Sequence, residues 1–460
     1  MARINIENRS LLALSGLTPG ISVRVEFGAD FIFVRKLDRP EWDSITISPK
    51  RYQNRDGSES LGGRLDIRRI QTASIFPDEQ QLLAAYMPEG VLITLLPTRK
   101  KARGRWDQLV RSVRAGVLRT GSVFTGIGTL DAALHAGLSK SGLRAKNEFA
   151  NDNWEDALEA MLAGNPARPR RALAAGIEQV ITLAADTPLP EVDFLAMGVP
   201  CKGASKLNVS TRDLPERHPQ VGHQVLNVAM LLQSLKWNTP ILLIENVVPW
   251  ADTISYSMLC RVLEEQGYKT MLVGGRTPEG QYEGLNGAEY GDFERRRRMA
   301  LLAYPPELEK YLNFDLMEKR ANERTIASIR LPEEMIPADD YARGPGMAAK
   351  AERGWTNKVV NDEATSTPSC SSECWKIRPE DPKFTSPTAP EKWRLPKPEE
   401  HARLKGQPEE LFHTLRFDTA AHTALGNGTC RKVWLEFGRC LGLALMKSVA
   451  SNEVAGPSAN

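Results

Sequence analysis

The stretch Asp193-Phe194-Leu195-Ala196-Met197-Gly198-Val199-Pro200-Cys201-Lys202-Gly203-Ala204-Ser205 sets the frame for the whole chain. Phe194 to Met197 is a short apolar run without polar alternation, the pattern of a strand buried on both faces in a parallel sheet. Gly198 and Pro200 break it, and a cysteine follows at once. Open α/β sheets carry their ligands at the C-terminal ends of such strands. A thiol there, beside Lys202, has the positive surroundings that favour a thiolate. The plain alternative is a small buried cysteine behind a strand.

Outward from this stretch the same grammar repeats. Upstream, Val117–Phe124 is a strand candidate, Thr125-Gly126-Ile127-Gly128-Thr129 a tight glycine turn, and Leu130–Leu138 has helical spacing. A strand, a Gly-X-Gly turn and a helix bring backbone close to a nucleoside ligand at a helix N-terminus. The next strand ends near Phe149-Ala150-Asn151-Asp152, which places Asp152 either to accept from ribose hydroxyls or to cap a helix. Downstream, Pro240–Ile244 ends at Glu245-Asn246-Val247, a carboxylate on the same rim as Cys201 and placed to act as an acid. Leu259–Gln266 reads as a helix. Tyr290–Phe293 then leads through Glu294-Arg295-Arg296-Arg297-Arg298 into the apolar strand Met299–Tyr304. In a strand Arg296 and Arg298 would share a side. Beside a thiol and a carboxylate they can clamp an anion or a carbonyl. Alternating strands and helices argue for a mainly parallel sheet covered on both faces.

The flanks differ. Residues 1–98 read as β: Ile21, Val23, Val25 and Phe27 alternate with polar residues, Gly28-Ala29-Asp30 turns into Phe31–Val34, and Val91, Ile93 and Leu95 alternate again. Such a module serves dimerisation or DNA contact. Residues 99–119 carry eight basic residues against the single acid Asp107 and read as a basic linker, helical around Trp106–Val113. The run is either a solvated face or a phosphate-contacting segment. Residues 305–392 are polar and rich in Pro and Gly, as expected of an irregular lobe. Order returns with a helix around Glu399–Leu404 and a long amphipathic helix from about Cys430 to Val449.

Composition narrows the class. The 460 residues hold 41% hydrophobic and 25% charged residues with a net charge of +3, ordinary for a globular protein. No apolar run reaches the roughly 20 residues of a membrane span, and no signal segment opens the chain. The expectation is a cytoplasmic protein of a prokaryotic or phage-infected cell. Six scattered cysteines imply thiols rather than a disulfide framework. Cys370 and Cys374 are four apart, but no second close pair completes a zinc site, so no metal is expected.

In this order the segments resemble the DNA (cytosine-5) methyltransferase family over about 120–305 and 393–450. Ser122-Val123-Phe124-Thr125-Gly126-Ile127-Gly128 resembles its first cofactor motif, and Asn151-Asp152 stands where the family has its ribose-binding acid. Gly198-Val199-Pro200-Cys201 resembles the Pro-Cys motif, Glu245-Asn246-Val247 the Glu-Asn-Val motif, and Glu294–Arg298 the Gln-X-Arg-X-Arg motif. Arg394–Gly406 resembles the motif after the recognition region, and Gly426-Asn427-Gly428 the closing cofactor motif, whose helix lies beside the first one. Ser122 replaces a usual Asp, Thr129 a usual Gly and Glu294 a usual Gln, and Gly176 falls where the third motif has an Asp.

The resemblance implies a Rossmann-like methyltransferase sheet of α/β class, S-adenosylmethionine as cofactor and double-stranded DNA as partner. Cys201 would add to cytosine C6 while Glu245 serves N3, with Arg296 and Arg298 holding the base and Pro200 and Asn246 shaping the pocket. Phe124, Thr125, Gly126, Gly128, Asp152, Ile177 and Asn427 would hold the cofactor. The expected divisions are 1–98 a β-rich domain, 99–119 the linker and 120–305 the catalytic domain. Then come 306–392 for target recognition, 393–450 the closing motifs and 451–460 a flexible tail. The β domain offers a surface for a homodimer. A DNA-binding regulator on a degenerate fold and an RNA cytosine-5 methyltransferase are the rival readings.

Overall fold

The computed structural model describes residues 3–76, 81–200, 203–204, 215–235, 239–341, 357–389 and 392–454. Cys201 and Lys202 lie outside the described residues. The chain divides into two compact units, Met1–Lys101 and Ala102–Asn460.

The first unit is β-rich. Its strands β1 (Ile4–Ile6), β2 (Ser22–Phe27), β3 (Phe31–Lys36), β4 (Ile45–Thr46), β5 (Ser48–Gln53), β6 (Glu59–Ile67), β7 (Leu82–Met87) and β8 (Gly90–Leu95) are accompanied by the short helices α1 (Arg9–Leu14) and α2 (Ile70–Ile75). They form two sheets, ordered β4-β2-β3-β8-β7 and β1-β6-β5. The β2–β3 hairpin closes where Gly28 N–H donates 2.9 Å to the Phe31 carbonyl, at the turn expected from Gly28-Ala29-Asp30. Val23, Ile32, Val34, Val91 and Ile93 form the core, the inward members of the alternation that period 2 imposes.

The second unit begins within α3 (Pro97–Arg114) and continues as β9 (Val117–Val123), α4 (Thr129–Lys140), β10 (Arg144–Asp152), α5 (Glu155–Gly164), β11 (Ala172–Ala174), α6 (Ile177–Asp186) and β12 (Phe194–Gly198). After it come α7 (Gln224–Ser234), β13 (Ile241–Asn246), α8 (Ile254–Glu265), β14 (Lys269–Val273), β15 (Gly275–Arg276), β16 (Tyr282–Asn286) and β17 (Arg297–Tyr304). The sheet runs β11-β10-β9-β12-β13-β17-β16-β15, with β14 also on β17. β9 to β13 pair in parallel, whereas β17 is antiparallel to β13 and β14. One apolar cluster lies under α3 and α4 and a second under α6, α7 and α8, so both faces are covered, as the sequence pattern implies. Register sets the rim: Val123 pairs with Met197 and Gly198 with Glu245. The loops after β9, β12 and β13 therefore open on one edge.

The stretch 99–119 spans the boundary between the two units, which falls after Lys101. It is part of the helix α3 and the start of β9, and from Ala102 onward it belongs to the second unit. Arg105 is buried, with its guanidinium 3.7 Å from the Tyr268 ring centroid. Gln108 donates 3.0 Å to Asp193, and Arg119 reaches the same carboxylate at 2.8 Å. A buried guanidinium and one held by a carboxylate are spent on internal contacts, so Arg105 and Arg119 leave the expected phosphate-contacting face.

Beyond β17 the lobe is irregular, as expected, and carries one small sheet of β18 (Lys358–Val360), β19 (Pro382–Thr385) and β20 (Trp393–Arg394). Phe293, Ile326, Val360, Phe384 and Leu404 share its core. The chain closes with α9 (Pro398–Leu404), α10 (Asp418–Asn427) and α11 (Arg431–Val454), which carries helix four residues into the expected flexible tail. α11 lies against α4, where a Cβ on Gly137 would meet the Leu435 carbonyl oxygen at 2.1 Å. This contact places the closing motif beside the first. No described helix is long and apolar enough to cross a membrane.

Candidate active site

The turn after β9 is tightly wound. Phe124 has φ 55°, a left-handed conformation that is an outlier for a bulky residue and marks a place where surroundings hold the chain under strain. Gly128 follows at φ 74° and starts α4; a Cβ there would meet Asn165 Nδ2 at 2.5 Å. Asn165 Nδ2 in turn donates 2.8 Å to the carbonyls of Ile127 and Gly128. Asp152, at the end of β10, accepts Gly126 N–H at 2.7 Å on one oxygen and Trp154 N–H at 2.9 Å on the other. It thus ties the first turn to its own strand end, and each carboxylate oxygen keeps a further lone pair for a ligand.

The departures in this motif have physical partners. Thr125 Oγ1 donates 2.8 Å to Asp131, a carboxylate from the first turn of α4 whose pKa burial pushes up. Ser122 Oγ lies 3.2 Å from the same hydroxyl. The acid missing at 122 is replaced by one arriving from the helix, which a motif read along the strand does not find. Thr129, where a glycine is usual, accepts the Thr429 N–H at 3.0 Å and so joins the first turn to the closing motif. Gly176 precedes α6, and Ile177 is buried at its start. Asn427 ends α10 with its side chain exposed.

On the neighbouring rim, β12 ends at Gly198 and the chain reaches Pro200. Asn246 Nδ2 donates to the Val199 carbonyl at 3.3 Å, which fixes the turn at Val199-Pro200. Glu245 is buried and paired with Arg298, Nε to Oε1 at 2.9 Å. Burial raises its pKa while Arg298 pulls the other way. The result is a carboxyl that holds its proton more readily than an exposed glutamate.

Arg296 and Arg298 keep to the inner side of the run, while Arg295 and Arg297 are exposed. β17 starts at Arg297, and its pairing reaches back to Arg296, whose carbonyl accepts the Gly287 N–H at 3.1 Å. Its guanidinium donates to the Gly426 carbonyl at 2.5 Å, to Ser369 Oγ at 3.0 Å and to the Cys370 carbonyl at 3.3 Å. Arg296 therefore braces the lobe and the closing motif, while Arg298 makes the direct ion pair with Glu245 and Arg296 acts on that carboxyl at longer range. Glu294 stands beside Arg296 at 3.4 Å and holds Lys405 Nζ at 2.6 Å. All three side chains are buried. Burial would raise the Glu294 pKa, but Lys405 and Arg296 outweigh it and lower it. Lys405 lies within the Arg394–Gly406 motif, but its role is not legible in the sequence because it depends on a contact across the fold.

Phe124, Gly126, Asp152, Ile177, Pro200, Glu245, Asn246, Arg296, Arg298 and Asn427 line one cleft of about 1460 Å³. A drug-sized pocket is roughly 300–1,000 Å³, so the cleft has room for a cofactor and a second ring. The Gly126 position faces open space, since a Cβ there would meet nothing within 4 Å.

With this geometry in place, the comparisons fall on one family. The C-5 cytosine-specific DNA methylase description matches residues 118–436. Among solved structures, the Dnmt2 methyltransferase of S. pombe is similar at TM-score 0.51 and 17% identity, covering 70% of this chain and 98% of that one. A mutant of Spodoptera frugiperda DNMT2 is similar at TM-score 0.52 and 17% identity, covering 70% of this chain and 99% of that one. These likenesses concern the fold. No curated relative matches the chain.

Proposed function

The chain belongs to the C-5 cytosine-specific DNA methylase family, and on that premise we propose that it methylates C5 of a flipped-out cytosine in double-stranded DNA through a covalent adduct on Cys201. The observation that carries this reading is the Glu245–Arg298 pair on the sheet rim, beside the turn that Asn246 fixes before residue 201. Members of the family use S-adenosylmethionine. The site fits it: an open glycine turn at Gly126, the spare lone pairs of Asp152 for a ribose, and the apolar Phe124 and Ile177 for an adenine. Thr125, Gly128 and Asn427 complete its wall. When bound, the cofactor supplies an electrophilic methyl group.

Cytosine C5 is a poor nucleophile, and covalent catalysis activates it. The Cys201 thiolate attacks C6, and the electron pair of the C5–C6 bond moves toward N3, where Glu245 gives up its proton. C5 is then enamine-like and can take a methyl group. Loss of the C5 proton to a base afterwards restores the double bond and expels Cys201 as thiolate. Arg298 keeps Glu245 oriented and neutralises it once the proton has left. Pro200 and Asn246 hold the turn in place. C6 is out of reach inside a duplex, so the base is flipped at a cost of a few kcal/mol. Phosphate contacts from exposed basic residues, Arg99, Lys101 and Arg111 among them, make binding fall with salt. The β-rich unit we assign to self-association, which sedimentation of the full chain tests.

The experiment is tritium transfer from labelled S-adenosylmethionine to duplex DNA and to tRNA, with wild type and Cys201→Ala. The expected result is label in 5-methylcytosine of duplex DNA, lost in Cys201→Ala. Label confined to tRNA would move the substrate to RNA. DNA binding without label from wild type would establish the regulator reading instead.

A further inference from the structure

Cys370 and Cys374 lie in the lobe, both fully buried, with sulfurs 2.9 Å apart. The sequence places nothing else near them. The fold does: His401, on α9, is also fully buried, and one of its ring nitrogens and the two sulfurs all lie within 4.8 Å of one another. The ring's two nitrogens are not equivalent. Nδ1 sits 3.0 Å from Nδ1 of His422. Nε2 is buried and has no hydrogen-bond partner. A buried imidazole nitrogen without a partner is rare in a finished structure and calls for an explanation.

We propose that Cys370, Cys374 and His401 hold a zinc-class divalent cation, with Nε2 as the nitrogen ligand and water at the fourth position. Two thiolates and an imidazole are a borderline-soft donor set that selects zinc over hard cations such as magnesium or calcium. The His401–His422 contact completes the pattern. In the proposed site the proton of this contact sits on His401 Nδ1 and is donated to His422, the tautomer that presents the Nε2 lone pair, as carbonyl or carboxylate partners ensure at other metal-bound histidines. Binding releases the two thiol protons to solvent. Zn–S bonds of about 2.3 Å set tetrahedral sulfurs about 3.8 Å apart, so the pair opens by roughly 0.9 Å on loading. A disulfide would use the same two sulfurs but leave Nε2 without a role, and for this reason the metal is preferred.

The site would act as a clamp. Cys370 N–H donates 3.0 Å to Glu294, and the Cys370 carbonyl accepts from Arg296. A metal joining Cys370 to α9 thus locks the lobe onto the segment that leads into β17. The inference stands apart from the methyl-transfer reading, because it rests on other residues and its readout is metal content.

The test is elemental analysis of the full chain purified under reducing conditions without chelator. One zinc per chain is expected, falling at least tenfold in Cys374→Ser and in His401→Gln. Because either variant can misfold, the wild type is also exchanged with cobalt. Intense d–d bands and thiolate charge-transfer bands of two-sulfur strength support the site. A zinc chelator should lower the unfolding temperature of wild type. Zinc-free protein that takes up no zinc or cobalt would overturn the proposal. So would a Cys370–Cys374 disulfide in reductant, or zinc that leaves in dilute chelator without any change in unfolding.

Discussion

Glu245 and Glu294 are both buried and both stand beside an arginine of the run 295–298, yet burial prevails at Glu245 and is outweighed at Glu294. The difference lies in the number of partners. Glu294 has two cations, Lys405 and Arg296, and accepts from Ser369 Oγ at 2.6 Å and Cys370 N–H at 3.0 Å. Its charge is fully met, and it is a strut. Glu245 has one guanidinium in direct contact, Arg298, feels Arg296 and Lys405 only at longer range, and borders the cleft. Its charge is only partly met, so the carboxyl stays close to protonation and remains available for chemistry. The same residue type serves structure or reaction according to how completely its lone pairs are used.

The comparison breaks if the two glutamates respond alike to removal of their charge. Glu245→Gln should lower methyl transfer by about 10²–10⁴-fold, the range for a lost acid, with the denaturation midpoint held. A midpoint that collapses with the rate would make Glu245 a second strut. Lys405→Met should destabilise the fold by about 3–5 kcal/mol, because it strips a partner from a buried charge. Adding Glu294→Gln should restore most of that loss in urea denaturation. If the double variant is no better than the single one, the Glu294–Lys405 pair is not the source.

A subtler measurement sharpens the Glu245 half. Arg298 lowers the Glu245 pKa, so in Arg298→Ala that pKa rises. The protonated acid then persists to higher pH, and the alkaline limb of the kcat profile should move up even as the rate falls. A limb that stays put assigns it to another group. The smallest effect lies away from the cleft. His135, 2.9 Å from Thr120 Oγ1, is pushed by burial to about 4 from 6.5. With the folded pKa depressed, the unfolded chain binds the extra proton between those values, and stability drains as pH falls from 6.5 through 4. The slope is at most about 1.4 kcal/mol per pH unit. His135→Asn should flatten that slope in denaturation series, and an unchanged slope would point to other groups.

Local pattern made much of the catalytic unit readable. Apolar runs at Val117–Val123, Phe194–Met197 and Ile241–Ile244 are strands because both faces are buried, and a strand buried on both faces cannot hide its composition. Gly126, Gly128 and Pro200 mark turns because few residues tolerate those backbone paths. The helix at 97–114 was harder to place, since Arg105 and Gln108 look like surface residues until Tyr268 and Asp193 meet them. Arg296 shares the inner side with Arg298, as its spacing implies, but its bonds to Gly426, Ser369 and Cys370 come from distant segments.

By itself, then, the sequence determined the order of strands and helices, the glycine turn of the first motif, and the strand-end positions of Glu245, Asn246 and Pro200. Each follows from neighbours within a few residues, where period and backbone sterics act. Only the tertiary structure decided that Asp131 answers for Ser122, that Lys405 neutralises Glu294, that Arg296 braces Gly426, and that His401 faces Cys370 and Cys374. Those are meetings of buried polar groups from distant segments. A buried charge or lone pair must find a partner wherever packing brings one, and no local pattern says which.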